Sequence, residues 1–272
     1  MQSPRGETPR QAAIEAHGLV KSYPAPGKTR VRALDGLTLS VPQGSIFALV
    51  GPNGAGKTTT VKILTTLATP DAGTAGTAAI EGIDVIAAPA KARRIIGVVG
   101  QRSGADLAAT GRENLILQGH LYGMATDAAK ARADELLDRF LLTDVAGRFV
   151  RTYSGGMQRR LDVAIGLVHR PRVLFLDEPT TGLDPESRAA MWDEISALAA
   201  TDQVTVLLTT HYLDEADKLA SRLAIVDQGR VVAEGDPELL KRELGAGSLD
   251  EVYLHHAGRR YTDATRQTEV AR

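Results

Sequence analysis

Cysteine is absent from the 272 residues. That excludes a disulfide scaffold, thiol catalysis and thiolate metal sites. A surplus of one charge is missing too: 32 Lys and Arg stand against 33 Asp and Glu, for a formal net charge of −1. A dedicated nucleic-acid binder needs a cationic excess to neutralise phosphates, so this balance argues against direct nucleic-acid binding. Long apolar runs are also lacking. The longest, such as Val204–Leu208 and Ile95–Val99, fall far short of the ~18–20 residues that span a bilayer. The opening MQSPRGETPRQA is polar and has no apolar segment of the signal-peptide kind, so residues 1–13 read as a flexible tail. Any membrane part must come from a separate chain.

What is present is ordinary globular material, with 43% hydrophobic and 24% charged residues. At ~150 residues per domain the length suits one large domain or two modest ones. Strand-like runs recur at "IEAHGLVKSY", "LTLSV", Ser45–Val50, Ala78–Ile80, Ile95–Val99, Val173–Leu176, Val204–Thr209 and Leu223–Val226. Amphipathic helical stretches separate several of them, which predicts an α/β fold with a mainly parallel sheet flanked by helices. Residues 102–158 instead read as helix after helix, a helical subdomain inserted into the core. Thr110 and Glu113 form a capping-box pattern at its first helix. Ala129, Ala133, Leu136, Leu137, Phe140 and Leu141 predict one face of its second. Asp184-Pro185 and Asp236-Pro237 each read as an N-cap with proline at N1. Residues 237–272 form a C-terminal extension ending in a charged tail.

Gly51-Pro52-Asn53-Gly54-Ala55-Gly56-Lys57-Thr58 matches G-x-x-x-x-G-K-[ST], with a strand before it and a helix after. Glycines let successive N–H groups curl around phosphate without Cβ obstruction, and the helix aims its positive end at the same anion. Lys57 neutralises β/γ-phosphate charge, and the Thr58 hydroxyl is a Mg²⁺ ligand. Asp177 and Glu178 end an apolar strand 120 positions after Lys57. A carboxylate there completes a magnesium shell, and its neighbour polarises an attacking water. Ser154-Gly155-Gly156 has two readings, a plain serine cap or a second anion cradle at a helix N-terminus. The second reading suggests two subunits completing each other's nucleotide sites. Arg159-Arg160 reads as decoration of a helix face, and His255-His256 as an exposed pair rather than a metal site.

With these residues in place, the chain from about 14 to 236 resembles the nucleotide-binding subunit of an ABC (ATP-binding cassette) transporter. Tyr153-Ser154-Gly155-Gly156-Met157 is similar to the family's signature motif, with Tyr153 for its usual Leu and Met157 for its usual Gln. The resemblance implies a P-loop ABC ATPase core with an antiparallel β region and cofactors ATP and Mg²⁺. It extends the phosphate-binding motif to Thr59 and makes Glu178 the catalytic glutamate, Asp177 the magnesium aspartate and Gln101 a glutamine reaching both magnesium and water. His211 would contact the γ-phosphate, Leu183-Asp184 would be the family's D-loop, and Tyr23 would stack on adenine. Taken singly, Tyr23, Gln101 and His211 read as ordinary strand and loop residues; their order around the phosphate loop is what assigns them. Implied partners are a second ATP-binding subunit, in a homodimer, and a separate transmembrane permease, at the cytoplasmic face of the membrane. "GSLDEVYLHHAGRR" and "TGRENLILQGHLYGM" resemble the daunorubicin-resistance type of exporter ATPase, associated with drug, antibiotic or lipid export. The rival is a soluble ABC ATPase working on ribosomes or nucleic acid. Only 97 positions separate Lys57 from Ser154, without the sustained heptads of the coiled-coil DNA-repair type.

Overall fold

Alternation decides the layering of the protein. In β3 (Ile46–Val50) every side chain is buried, yet Phe47 and Leu49 join one apolar cluster while Ile46, Ala48 and Val50 join another. Successive strand residues point to opposite faces, so a strand apolar throughout lies in a sheet covered on both sides. The computed structural model describes residues 11–25 and 27–258 and places β3 in a six-stranded sheet ordered β10-β9-β3-β8-β7-β6. Its other strands are β6 (Ile96–Val99), β7 (Val173–Asp177), β8 (Thr205–Thr210), β9 (Arg222–Asp227) and β10 (Arg230–Gly235). All neighbours are parallel except β10, which returns antiparallel to β9.

A second, antiparallel sheet ordered β2-β1-β4-β5 covers one face. It comprises β1 (Ala12–Ala25), β2 (Lys28–Pro42), β4 (Thr77–Ile80) and β5 (Ile83–Asp84). Ile14, Leu19, Leu37 and Leu39 from this sheet, with Ile63 and Leu64 from α1 (Lys57–Leu64), pack against Phe47, Phe175 and Leu207. β2 extends "LTLSV" back to Lys28, where antiparallel pairing with β1 supplies the partner. β1 starts at Ala12; residues 1–10 and 259–272, where the flexible tail and the chain end were expected, lie outside the described residues.

Helices cover the other face: α3 (Gly111–Leu121), α4 (Thr126–Arg139), α5 (Gly155–Leu167), α6 (Pro185–Ala200), α7 (Leu213–Leu219), α8 (Pro237–Leu244) and α9 (Leu249–Ala257), while short α2 (Pro89–Arg93) precedes β6. Each expected cap is made: Thr110 and Glu113 bond reciprocally, and the Asp184 and Asp236 carboxylates accept N–H bonds from their first turns. The face expected of the second helix ends early. α4 ends at Arg139, and Leu141 adopts φ 55° and is 77% exposed, while Leu142 is buried in its place. The left-handed residue turns the chain out of helical phase, so the face continues one position late. Among the described residues no helix is long and apolar enough to cross a membrane.

Candidate nucleotide site

The loop between β3 and α1 is squeezed between other backbones. At Gly56, with φ 115°, a Cβ would sit 2.7 Å from the Ala33 carbonyl and 2.8 Å from Leu34 Cδ2. A Cβ on Gly51 would collide with the Val226 carbonyl. Glycine is the residue both positions permit. Asn53 and Gly54 at the tip are exposed, Ala55 is buried, and Thr58 and Thr59 open α1 half-buried. Lys57 is 5% exposed and donates to the carbonyls of Gly51 (2.6 Å) and Pro52 (3.2 Å). Burial pushes its pKa down, opposed by the charges of Glu178 and Asp177. Among the described residues Lys57 donates only to neutral carbonyls, which an anion's oxygens can replace.

Those carboxylates sit where β7 runs out. Asp177 is buried and its Oδ1 accepts from the Thr209 hydroxyl (2.5 Å), with the Thr58 hydroxyl 3.5 Å from the same oxygen. Magnesium takes one or two protein oxygens and completes its shell with phosphate and water, so a hydroxyl and a carboxylate at the mouth of a phosphate loop fit that ion. Glu178 leaves the strand with φ 50°, a strained conformation for glutamate, and its N–H reaches both the carbonyl and hydroxyl of Thr209 (3.1 and 3.2 Å). Its Oε1 lies 3.3 Å from His211 Nδ1, and its Oε2 accepts from Thr181 at 3.4 Å. The His211 contact holds the Glu178 carboxyl below its usual range, against the upward push of burial, and Lys57 adds to the lowering. Thr209 is a site residue that sequence reading passes over. Its partnership follows from the parallel register Asp177↔Thr209, which no local pattern encodes.

Gln101 follows β6 and is exposed. It shares a cavity of about 270 Å³ with Ser103, Gly155, Asp162, Glu178 and Thr181. Thus Gln101, Glu178 and the glycine after Ser154 face one space. Ser154 caps α5, its hydroxyl accepting from Met157 N–H (3.2 Å), and both Ser154 and Gly155 are exposed. Gly156 is buried, with the Ser187 hydroxyl 2.6 Å from where a Cβ would stand. Ser187 in turn donates to Asp184 through its N–H (2.9 Å) and hydroxyl (2.7 Å), which hold the Asp184 carboxyl below its usual range. Another cavity is lined by Pro52, Asn53, Gly54 and Ala55 with Tyr253 and Ala257 of α9. Neither cavity is lined by both the phosphate loop and the Ser154 cradle.

Tyr23 lies opposite Val31 in the β1–β2 hairpin, with Lys21 Nζ 5.5 Å from its ring centroid. The same hairpin touches Gly56 through Ala33 and Leu34. Arg159 does not decorate a surface. It is 8% exposed and points inward to backbone carbonyls around Glu178, because α5 lies across the ends of β6 and β7; Arg160 is the partly exposed member of the pair. His255 and His256 are exposed and edge-on, and no cluster of three metal-binding side chains occurs among the described residues.

Residues 34–181 match the family model described as ABC transporter. The chain is 51% identical over 245 residues to the daunorubicin/doxorubicin resistance ATP-binding protein DrrA of Streptomyces peucetius, covering 90% of this chain and 71% of that one. It is 43% identical to the Nod factor export ATP-binding protein I of Paraburkholderia xenovorans, over 88% and 76% of the two chains. Among solved structures, an ATP-binding subunit of an ABC transporter superposes with TM-score 0.77 at 29% identity, over 89% and 98% of the chains. A dimeric, post-hydrolysis ATP-binding cassette bound to ADP and Pi gives 0.74 at 26% identity, over 82% and 98%.

Proposed function

Because the chain belongs to the ABC transporter family, as an ATP-binding and ATP-hydrolysing subunit that energises an exporter, we infer that Gly51–Thr59 holds the triphosphate and Glu178 polarises the attacking water. The observation that carries this reading is the Glu178 carboxylate 3.3 Å from His211 at the mouth of the glycine-rich loop. Lys57 exchanges its bonds to the Gly51 and Pro52 carbonyls for phosphate oxygens. Thr58 and Asp177, with Gln101, would hold Mg²⁺, which supplies charge neutralisation at the β- and γ-phosphates. His211 orients Glu178 and faces the γ-phosphate, and Tyr23 supports the adenine.

Ser154, Gly155 and Gly156 serve the partner's nucleotide in a head-to-tail homodimer, with Asp184 at the crossing. The exposed hydroxyl and amide of Ser154 and Gly155 then have a phosphate to meet. ATP joins the two halves through the charge of its γ-phosphate. Hydrolysis removes that charge, so the population shifts toward the open pair, and a separate permease at the cytoplasmic membrane face feels the change. In this division residues 14–236 form the ATPase domain, about 102–158 its helical subdomain and 237–272 an extension. The drug-resistance relatives support a drug, antibiotic or lipid-like cargo.

Glu178→Gln tests the assignment. ATP binding persists, steady-state hydrolysis falls by about 10²–10⁴-fold, and Mg-ATP drives a dimer visible by light scattering. Unchanged hydrolysis would remove Glu178 from the reaction. Affinity purification from detergent extract tests the partner: a polytopic permease supports export, whereas ribosomes or nucleic acid would replace it with the soluble alternative.

A further inference from the structure

One face of α5 carries two buried charges that the reaction above leaves unused. Arg159 is 8% and Asp162 6% exposed, and their spacing of three places them side by side. The Arg159 guanidinium donates to four backbone carbonyls: Gly100 (2.6 Å), Pro179 (2.8 Å), Asp177 (3.1 Å) and Glu178 (3.2 Å). The Asp162 carboxylate accepts from the Ser103 hydroxyl (2.8 Å) and the Gly104 N–H (3.1 Å). Gln101 is therefore bracketed. The residue before it hangs on Arg159, and the turn just after it hangs on Asp162. The same guanidinium grips the carbonyl of Glu178, whose side chain meets His211.

Burying a guanidinium is costly, and its charge here is offset by Asp162 on α5, Asp177 on β7 and Glu215 on α7. Only a planar fork with five donors serves four carbonyls from two strand ends at once; a lysine ammonium has three donors at one point. α5 can lie this close because Gly97 of β6 and Gly166 of α5 meet without side chains.

We propose that Arg159 and Asp162 are positioning residues for ATP hydrolysis. Together they hold the backbone on both sides of Gln101 and at Glu178 in one mutual geometry. Through them a displacement of the Ser154 end of α5 reaches both groups. This rests on the assignment of Glu178 and Gln101 made above.

The test compares steady-state ATPase kinetics and equilibrium ATP binding of the full chain in wild type, Glu178→Gln, Arg159→Lys, Asp162→Ala and Asp162→Asn. Misplacing a reactive group by about 1 Å costs up to about 100-fold, so Arg159→Lys and Asp162→Ala lower kcat by about 10- to 100-fold. KM and ATP affinity stay within about threefold, the pattern of a group acting in the transition state alone. Asp162→Asn, whose amide oxygen still accepts both bonds but no longer offsets the Arg159 charge, has a kcat clearly above that of Asp162→Ala. A merely structural role would reduce folded, ATP-binding protein while leaving turnover per bound ATP unchanged. Wild-type kcat in Arg159→Lys and Asp162→Ala, or an equal loss of affinity and kcat, overturns the proposal. If Glu178→Gln also keeps wild-type turnover, it is the underlying assignment that has failed; if Glu178→Gln is dead and the α5 variants are fully active, only the positioning role has.

Discussion

The Glu178 side chain sits between His211 and Thr181. His211 lowers its pKa against burial, so the folded protein binds that proton less tightly than the unfolded chain does. The sign follows from linkage: the stabilisation is full above the ordinary carboxylate range and is lost as pH falls through the lowered value. His211→Ala removes the largest lowering influence and leaves the upward push of burial. Its acid-unfolding midpoint, followed by circular dichroism, is expected at higher pH than wild type. A coincident midpoint would mean that the 3.3 Å contact carries no linkage. At this scale the sequence is most legible where chemistry dictates residue type at short spacing, as in Gly51–Thr58. Arg159 was misread because an Arg-Arg pair on a helix is ordinarily solvated, and nothing local shows which of the two turns inward.

Among elements, α5 links the Ser154 cap to the sheet. It begins at the Ser154 cap, passes Arg159 and Asp162, and reaches Gly166, where β6 comes up against it. A Cβ on Gly97 would collide with the Gly166 carbonyl and lie 2.9 Å from Leu174 Cδ1. Gly97→Ala must therefore push helix and strand apart. The expected cost is about 1–3 kcal/mol, as for other overpacked cores, read from urea denaturation. Turnover should fall further than ATP affinity, since the same displacement pulls on Gly100 and Glu178. Wild-type stability would show that the contact relaxes freely. Helix starts were readable from Thr110, Asp184 and Asp236, because caps are local hydrogen-bond chemistry. The end of α4 was not, because a single left-handed residue, Leu141, changes the phase without altering the apolar pattern.

For the whole molecule, the proposed division of one ATP site between two chains gives a mixing experiment. Lys57→Ala disables the phosphate loop and Ser154→Arg disables the cradle, so each homodimer is inactive. Random exchange makes about half the dimers mixed, each with one intact composite site, for about a quarter of wild-type sites. ATP turnover should reappear on mixing. Persistent inactivity of the mixture would place both halves of the site within one chain. The exposure of Ser154 and Gly155, outside the cavity that the phosphate loop lines, is what makes this arrangement physically sensible.

The glycine-rich loop between strand and helix, the two carboxylates at the end of an apolar strand, the principal strands and most helix caps were determined by the sequence alone. Each depends on residue type over a few positions or on a period of 2.0 or 3.6. Only the tertiary structure decided that Thr209 binds Asp177, that His211 meets Glu178 and that Arg159 is interior. These facts depend on which strands lie side by side and how closely a helix crosses them. Such pairings join residues 18 to 59 positions apart through packing that no single segment contains.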